Sequence, residues 1–171
     1  FKFLEPLAIQ MGGISGSLGK QEHRDVFKSA DSTGVAPMIC YESVYGEYST
    51  EYVQRGGNLF FVITNDGWWG NTAGHKQHLQ YARLRAIETR RDIAQSANTG
   101  TSAFINQRGD VSQATEWWTP AAIKATLHAN DEITFYVKYG DYIGRAAILI
   151  SILLALYTFI QRFTRGRKDF V

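Results

Sequence analysis

From Ala146 to Ile160 the chain runs AAILISILLALYTFI without a single charge, and Gln161-Arg-Phe-Thr-Arg165-Gly-Arg167-Lys168 follows at once. Such a segment has two stable uses: a helix across a bilayer, or a core helix with a solvated basic tail. Fifteen helical residues rise only about 22 Å, short of the roughly 30 Å hydrocarbon core. Read from Tyr142 to Phe163, the segment reaches about 33 Å, provided Arg145 snorkels its guanidinium to the interface. Tyr136, Tyr139 and Tyr142 before it, and Tyr157, Phe159 and Phe163 within and after it, suit the two aromatic belts. The expected division is a globular part over residues 1–140, a transmembrane helix over 141–163 and a basic cytoplasmic tail over 164–171. Arg162, Arg165, Arg167 and Lys168 would hold that tail inside, leaving everything before Tyr142 on the outer side.

Composition fits one domain with a proper core: 171 residues, 44% hydrophobic and 20% charged. A net charge of +2, with several basic residues crowded at the end, argues against a broad nucleic-acid-binding face. One cysteine allows no internal disulfide and no zinc-finger pattern. No signal-peptide layout opens the chain, which starts at Phe1 in mid-pattern and reads as the C-terminal part of something longer.

Strands and helices alternate. Pro6 to Leu18 reads as a loop or short helix, Val35 to Ile39 as a strand, and Tyr45 to Gln54 as a helix closed by Gly56-Gly57. Leu59 to Thr64 is wholly apolar, the type of strand buried on both faces. His75 to Arg91 is a helix with Leu79, Ala82 and Ala86 as its apolar stripe and Arg85, Glu88 and Arg91 on its polar side. Ile93 to Ala97 and Ser102 to Asn106 read as strands, Gln107 to Asp110 as a hairpin turn, and Ala121 to Leu127 as a late strand. The class is α/β.

Cys40 ends the first apolar strand, and Asn65-Asp66-Gly67-Trp68-Trp69-Gly70 ends the second, so a thiol and a tryptophan-bearing loop are expected at one sheet edge, where open α/β folds hold their sites. The competing reading is a buried, inert cysteine. Other motifs fail. Gly12 to Gln21 has Ile14 where a phosphate loop needs glycine, and Gln21 where the magnesium-binding Ser/Thr would stand. His75 and His78 lack a third metal ligand of suitable spacing and read as helix-start or loop contacts. Trp117-Trp118 reads as packing. No metal or cofactor is expected.

Ile39-Cys40-Tyr41-Glu42, then Ile63 to Gly70, then His78 to Glu88 with Ala82, Arg83, Arg85 and Ala86, then Ser96-Ala-Asn98-Thr-Gly100 and Gly109, together resemble the C-terminal portion of bacterial apolipoprotein N-acyltransferase, within the nitrilase or carbon-nitrogen hydrolase superfamily. The likeness runs from about Val35 to the end. It implies a partial nitrilase-like αββα sandwich followed by one transmembrane helix, in the bacterial inner membrane with the domain outside. It also implies a Glu-Lys-Cys triad with Cys40 as nucleophile, the backbone N–H of Tyr41 facing the oxyanion, Glu42 in support, and Trp68 and Trp69 bordering the lipid entrance. Cys40 would take an acyl chain from a phospholipid as a thioester and pass it to the amine of a lipoprotein's S-diacylglyceryl cysteine, partners that also require the bilayer and exclude nucleic acid. None of Glu5, Glu22, Lys2 or Lys20 has the flanking residues for the other two triad positions, which are expected upstream. A membrane-tethered amidase of the same superfamily and a non-catalytic anchored module are the alternatives.

Overall fold

The structure, a computed structural model, describes residues 21–166. Pro6 to Leu18, the phosphate-loop look-alike up to Lys20, and the basic residues Arg167 and Lys168 lie outside them. The elements run β1 (Phe27–Lys28), β2 (Gly34–Ile39), a 3-10 turn (Cys40–Val44), α1 (Gly46–Gln54), β3 (Leu59–Thr64), a second 3-10 turn (Asp66–Trp69), α2 (Ala73–Thr89), β4 (Asp92–Ala97), β5 (Ala103–Ile105), β6 (Val111–Ser112), α3 (Phe135–Tyr139) and α4 (Tyr142–Gly166).

The six strands form one sheet in sequence order, parallel for β2, β3 and β4 and antiparallel at both flanks. Two successive crossovers advance in one direction, and because such connections are right-handed, α1 and α2 fall on the same sheet face. Met38, Phe60, Val62 and Ile93 point into that layer and meet Tyr52, Val53, Ala82 and Ala86, all buried. The alternate residues face away. Ile39 and Ile63 are 55% and 51% exposed, and Phe61 is 38% exposed, so among the described residues only one face of β3 is covered. Leu59 to Thr64 therefore departs from the expectation of burial on both sides. The described residues supply one helical layer and one sheet, half of the αββα arrangement that the resemblance implies.

Local chemistry sets the element ends. At the end of α1, Gly57 N–H donates to Tyr52 O (2.8 Å) and Gly56 N–H to Val53 O (3.0 Å), with Gly56 at φ +90°. This Schellman cap is the one that Gly56-Gly57 predicts. Thr72 caps α2 by accepting from Gly74 N–H. The hairpin at Gln107 to Asp110 also forms, closed by Asn106 N–H to Asp110 O (3.0 Å), with Gly109 at φ +84°.

Two further expectations fail. Arg85 and Arg91 are buried rather than on a solvated side, because each guanidinium satisfies loop carbonyls: Arg85 donates to Val44 O and Arg91 to Gly57 O and Thr89 O. Ala121 to Leu127 forms no strand. Side chains pin this stretch and its neighbour instead, through Gln113 to Lys124 O (2.9 Å) and His128 N–H to Asp92 Oδ2 (2.7 Å).

α4 carries an apolar span over Tyr142–Arg162, and none of its most apolar stretch is buried in the described structure. Its 21 residues rise about 32 Å, long enough to cross a bilayer. Among the described residues, none packs over that stretch to make it a core helix. Arg145, near the start of the span, pairs through Nη2 with Glu47 Oε1 of α1 at 2.5 Å, on the side of the globular domain.

The one-sided sheet gives a test. Phe60→Ala opens a cavity under α1 and α2 and should lower stability by about 3–5 kcal/mol, whereas Ile63→Ala on the open face should cost less than about 1 kcal/mol. Denaturant unfolding of this chain in detergent measures both, and equal losses would show that both faces are packed.

Candidate active site

β2 and β3 pair in parallel with Ile39 opposite Ile63, so Cys40 and Thr64 leave the sheet side by side at its carboxyl edge. Thr64 Oγ1 lies 3.3 Å from Cys40 Sγ. The thiol is partly exposed, and its residue sits at φ +50°. A left-handed conformation in a residue with a Cβ costs on the order of 1–2 kcal/mol. The strain comes from turning an extended strand into a 3-10 turn within one residue, as nucleophile-bearing strand ends do.

The turn is tied on both sides. Glu42 Oε2 accepts Ile39 N–H at 2.7 Å, and its Oε1 accepts the Tyr48 hydroxyl at 2.6 Å. Burial first, and this hydrogen bond second, push the Tyr48 phenol up, so it remains a donor. Glu42 also borders a cavity of about 460 Å³ with Pro37, Ile39, Arg24, Tyr48 and Tyr52. On the other side, Ser43 Oγ donates to Cys40 O at 2.8 Å.

Beneath the thiol lies a polar cluster the sequence reading did not assign to the site. Thr64 Oγ1 is 2.7 Å from Asp66 Oδ1, and the same oxygen is 3.0 Å from His78 Nδ1. His78 Nε2 is 2.9 Å from Ser43 Oγ and 3.1 Å from Cys40 O. Asp66, His78 and Ser43 are all buried. Gly100 packs against Asp66 so closely that a Cβ there would collide with Oδ2. The signal was present: His78, Ala82, Ala86 and Thr89 share the buried helix stripe, so His78 had to face the sheet edge. His75, by contrast, stacks on Trp117 at 4.2 Å between ring centroids. Among the described residues no group of three or more His, Cys, Asp and Glu is placed to hold a metal ion.

The aromatic residues divide. Tyr41 lies over the His78 ring and within 6.3 Å of Trp69, and all three line a cavity of about 110 Å³ with Gln77 and Tyr81. Trp68 points away and is 83% exposed. Cys40, Tyr41, Glu42 and Trp69 therefore meet around one turn, and Trp68 stands outside it. A larger cleft of about 580 Å³, between α1 and the start of α4, contains neither the thiol nor its partners.

The carbon-nitrogen hydrolase family matches residues 3–134. The apolipoprotein N-acyltransferase of Chlorobaculum tepidum is 35% identical over 165 residues, 95% of this chain and 31% of that protein. That of Thermotoga maritima is 34% identical over 169 residues, 99% of this chain and again 31% of its own. The chain thus spans just under a third of the length of these relatives. An amidase from Nesterenkonia sp. superposes on 76% of this chain and 49% of its own, with a TM-score of 0.52 at 17% identity, a likeness of fold. With the match running from residue 3 to residue 134, the chain belongs to the carbon-nitrogen hydrolase family.

Proposed function

We propose that the protein carrying this chain moves an acyl group from a phospholipid to the N-terminal amine of a lipoprotein's S-diacylglyceryl cysteine. The observation that carries this reading is the 35% identity, over 95% of the chain, to a protein named apolipoprotein N-acyltransferase. A strained, partly exposed thiol at the carboxyl edge of parallel strands supports it.

In this reading Cys40 Sγ attacks the ester carbonyl, and the lysophospholipid leaves with a proton as the thioester forms. The lipoprotein amine then attacks the thioester, an amide bond replaces it, and the thiol is regenerated. The backbone N–H of Tyr41, at the start of the 3-10 turn, would donate to the oxyanion of both tetrahedral intermediates. The carboxylate and lysine that activate the thiol are expected in the part of the relatives' length this chain does not span. Glu42 keeps the turn in shape through Ile39 and Tyr48, and Trp69 with Trp68 would border the path of the acyl chain. Residues 1–140 would form part of the catalytic domain, 141–163 the membrane span and 164–171 the cytoplasmic tail. The two lipid substrates and the bilayer would be the partners. The thiol would then work on the outer side of the inner membrane, close to the surface where both lipids lie.

Three outcomes are expected. Given phospholipid without acceptor, the complete protein accumulates a thioester on Cys40, seen by mass spectrometry, and Cys40→Ser abolishes it; acylation surviving that change would sink the assignment. Glu42→Gln lowers turnover at least tenfold, more than about 1.4 kcal/mol in the barrier, with the melting temperature nearly unchanged. Parallel loss of activity and stability would instead make Glu42 a folding residue only. In a Cys40→Ala background, Arg108→Cys, on an exposed hairpin, reacts with an impermeant thiol reagent once the outer barrier is opened, and Gly166→Cys only after lysis. The reverse pattern would refute the orientation.

A further inference from the structure

Thr64, Asp66 and His78 close a ring of contacts that leaves Cys40 at its sulfur and returns to the same residue at its carbonyl oxygen. The steps are Sγ to Thr64 Oγ1 (3.3 Å), Thr64 Oγ1 to Asp66 Oδ1 (2.7 Å), Asp66 Oδ1 to His78 Nδ1 (3.0 Å) and His78 Nε2 to Cys40 O (3.1 Å). Burying a carboxylate and an imidazole is unfavourable unless each is closely partnered, and neither is needed to fill an apolar core. Asp66 and His78 are 0% and 1% exposed.

Asp66, His78 and Ser43 have the connectivity of a hydrolase triad, yet Ser43 is fully buried and donates to Cys40 O at 2.8 Å, so no substrate carbonyl can reach its hydroxyl. The constellation acts on the backbone of the nucleophile. Nδ1 faces a carboxylate oxygen of Asp66, and the tautomer with its proton on Nε2 donates to the Cys40 carbonyl. Two donors, His78 and Ser43, then converge on the carbonyl of the one strained residue of the turn.

We propose that the Asp66–His78 pair is the positioning device of the nucleophile: it holds the Cys40 carbonyl, and thereby keeps this residue left-handed with its sulfur at Thr64. The proposal rests on the acyl-transfer reading and adds residues to it. His78 touches no reacting atom; its effect passes through Cys40. The Tyr41 ring, 6.5 Å away between centroids, and Trp69 at 5.6 Å pack against His78.

The test uses the complete protein in detergent, with single-turnover thioester formation from phospholipid as the readout. His78→Ala should lower the maximal acylation rate at least tenfold while the phospholipid concentration for half-maximal rate changes less than twofold, because the substrate contacts stay. His78→Gln, which restores an N–H donor near the Nε2 position, should recover at least a third of the wild-type rate. His128→Asn, at an exposed histidine beside Asp92, which pairs with Leu59 at the end of β3 away from the thiol, should leave the rate unchanged. If His78→Ala does not fold, Asp66→Asn is read in its place with the same expectation. An alanine variant within twofold of wild type, or a glutamine variant no better than alanine, would overturn the proposal. Thioester formation that persists in Cys40→Ser would instead overturn the acyl-transfer reading, a distinct result from the same assay.

Discussion

The parallel pairing of β2 with β3 is the constraint on which the site depends. Ile39 opposite Ile63 makes Cys40 and Thr64 neighbours, and a slip of one residue would turn either Met38 of β2 or Phe60 and Val62 of β3 out of the helical layer while separating thiol from hydroxyl. Register is held by burial: Met38, Phe60 and Val62 are wholly inaccessible beneath α1 and α2. Packing energy far from the chemistry thus fixes where the sulfur stands. What the sheet cannot fix is the backbone of Cys40 itself, since strand pairing ends one residue earlier. That gap is filled by side-chain hydrogen bonds from Glu42, Ser43 and His78.

The same turn is linked to the apolar helix. α1 begins at Gly46, two residues after the 3-10 turn ends, and Glu47 in its first turn accepts Asp141 N–H at 3.0 Å and pairs with Arg145. Gly46 packs on the Tyr136 hydroxyl of α3, the short helix before the span. In water an exposed pair of this kind contributes about 0–1 kcal/mol. Its value here is geometric, since it fixes the angle at which α4 leaves the domain. This partner for Arg145 could not be read from the sequence, because Glu47 lies within reach only once the chain has folded.

Much of this was legible beforehand. Leu59 to Thr64 appears with the limits its apolar run gives it, and the Gly56-Gly57 cap and the hairpin at Gly109 follow from glycine's freedom at positive φ. The placement of Cys40 beside the Asn65-to-Gly70 loop follows from two strands in a βαβ unit. The polarity of α2 was misread because charge was equated with solvent, whereas its arginines answer to carbonyls that only the tertiary fold supplies. His78 was read as a helix-start or loop contact for a related reason: its partners, Asp66 and the Cys40 carbonyl, lie 12 and 38 residues away. The late strand failed because a short apolar-looking run has no ladder to join once β6 has ended the sheet.

Buried cations in α2 and just beyond it extend the same logic to the rest of the layer. Arg85 Nη1 donates to Val44 O at 2.7 Å, at the end of the nucleophile's 3-10 turn, and its Nη2 donates to Glu88 at 3.0 Å. Burial holds the Glu88 carboxyl above its usual range while Arg85 pulls the other way, the balance expected of an ion pair taken out of water. Glu88 O in turn accepts the Thr134 hydroxyl that caps α3. One helix therefore touches both ends of the Cys40–Val44 turn, His78 at its start and Arg85, two turns on, at its end. A rigid helix that grips a short strained turn at two points leaves it little room to relax, which is how a left-handed cysteine can be kept without a glycine's freedom.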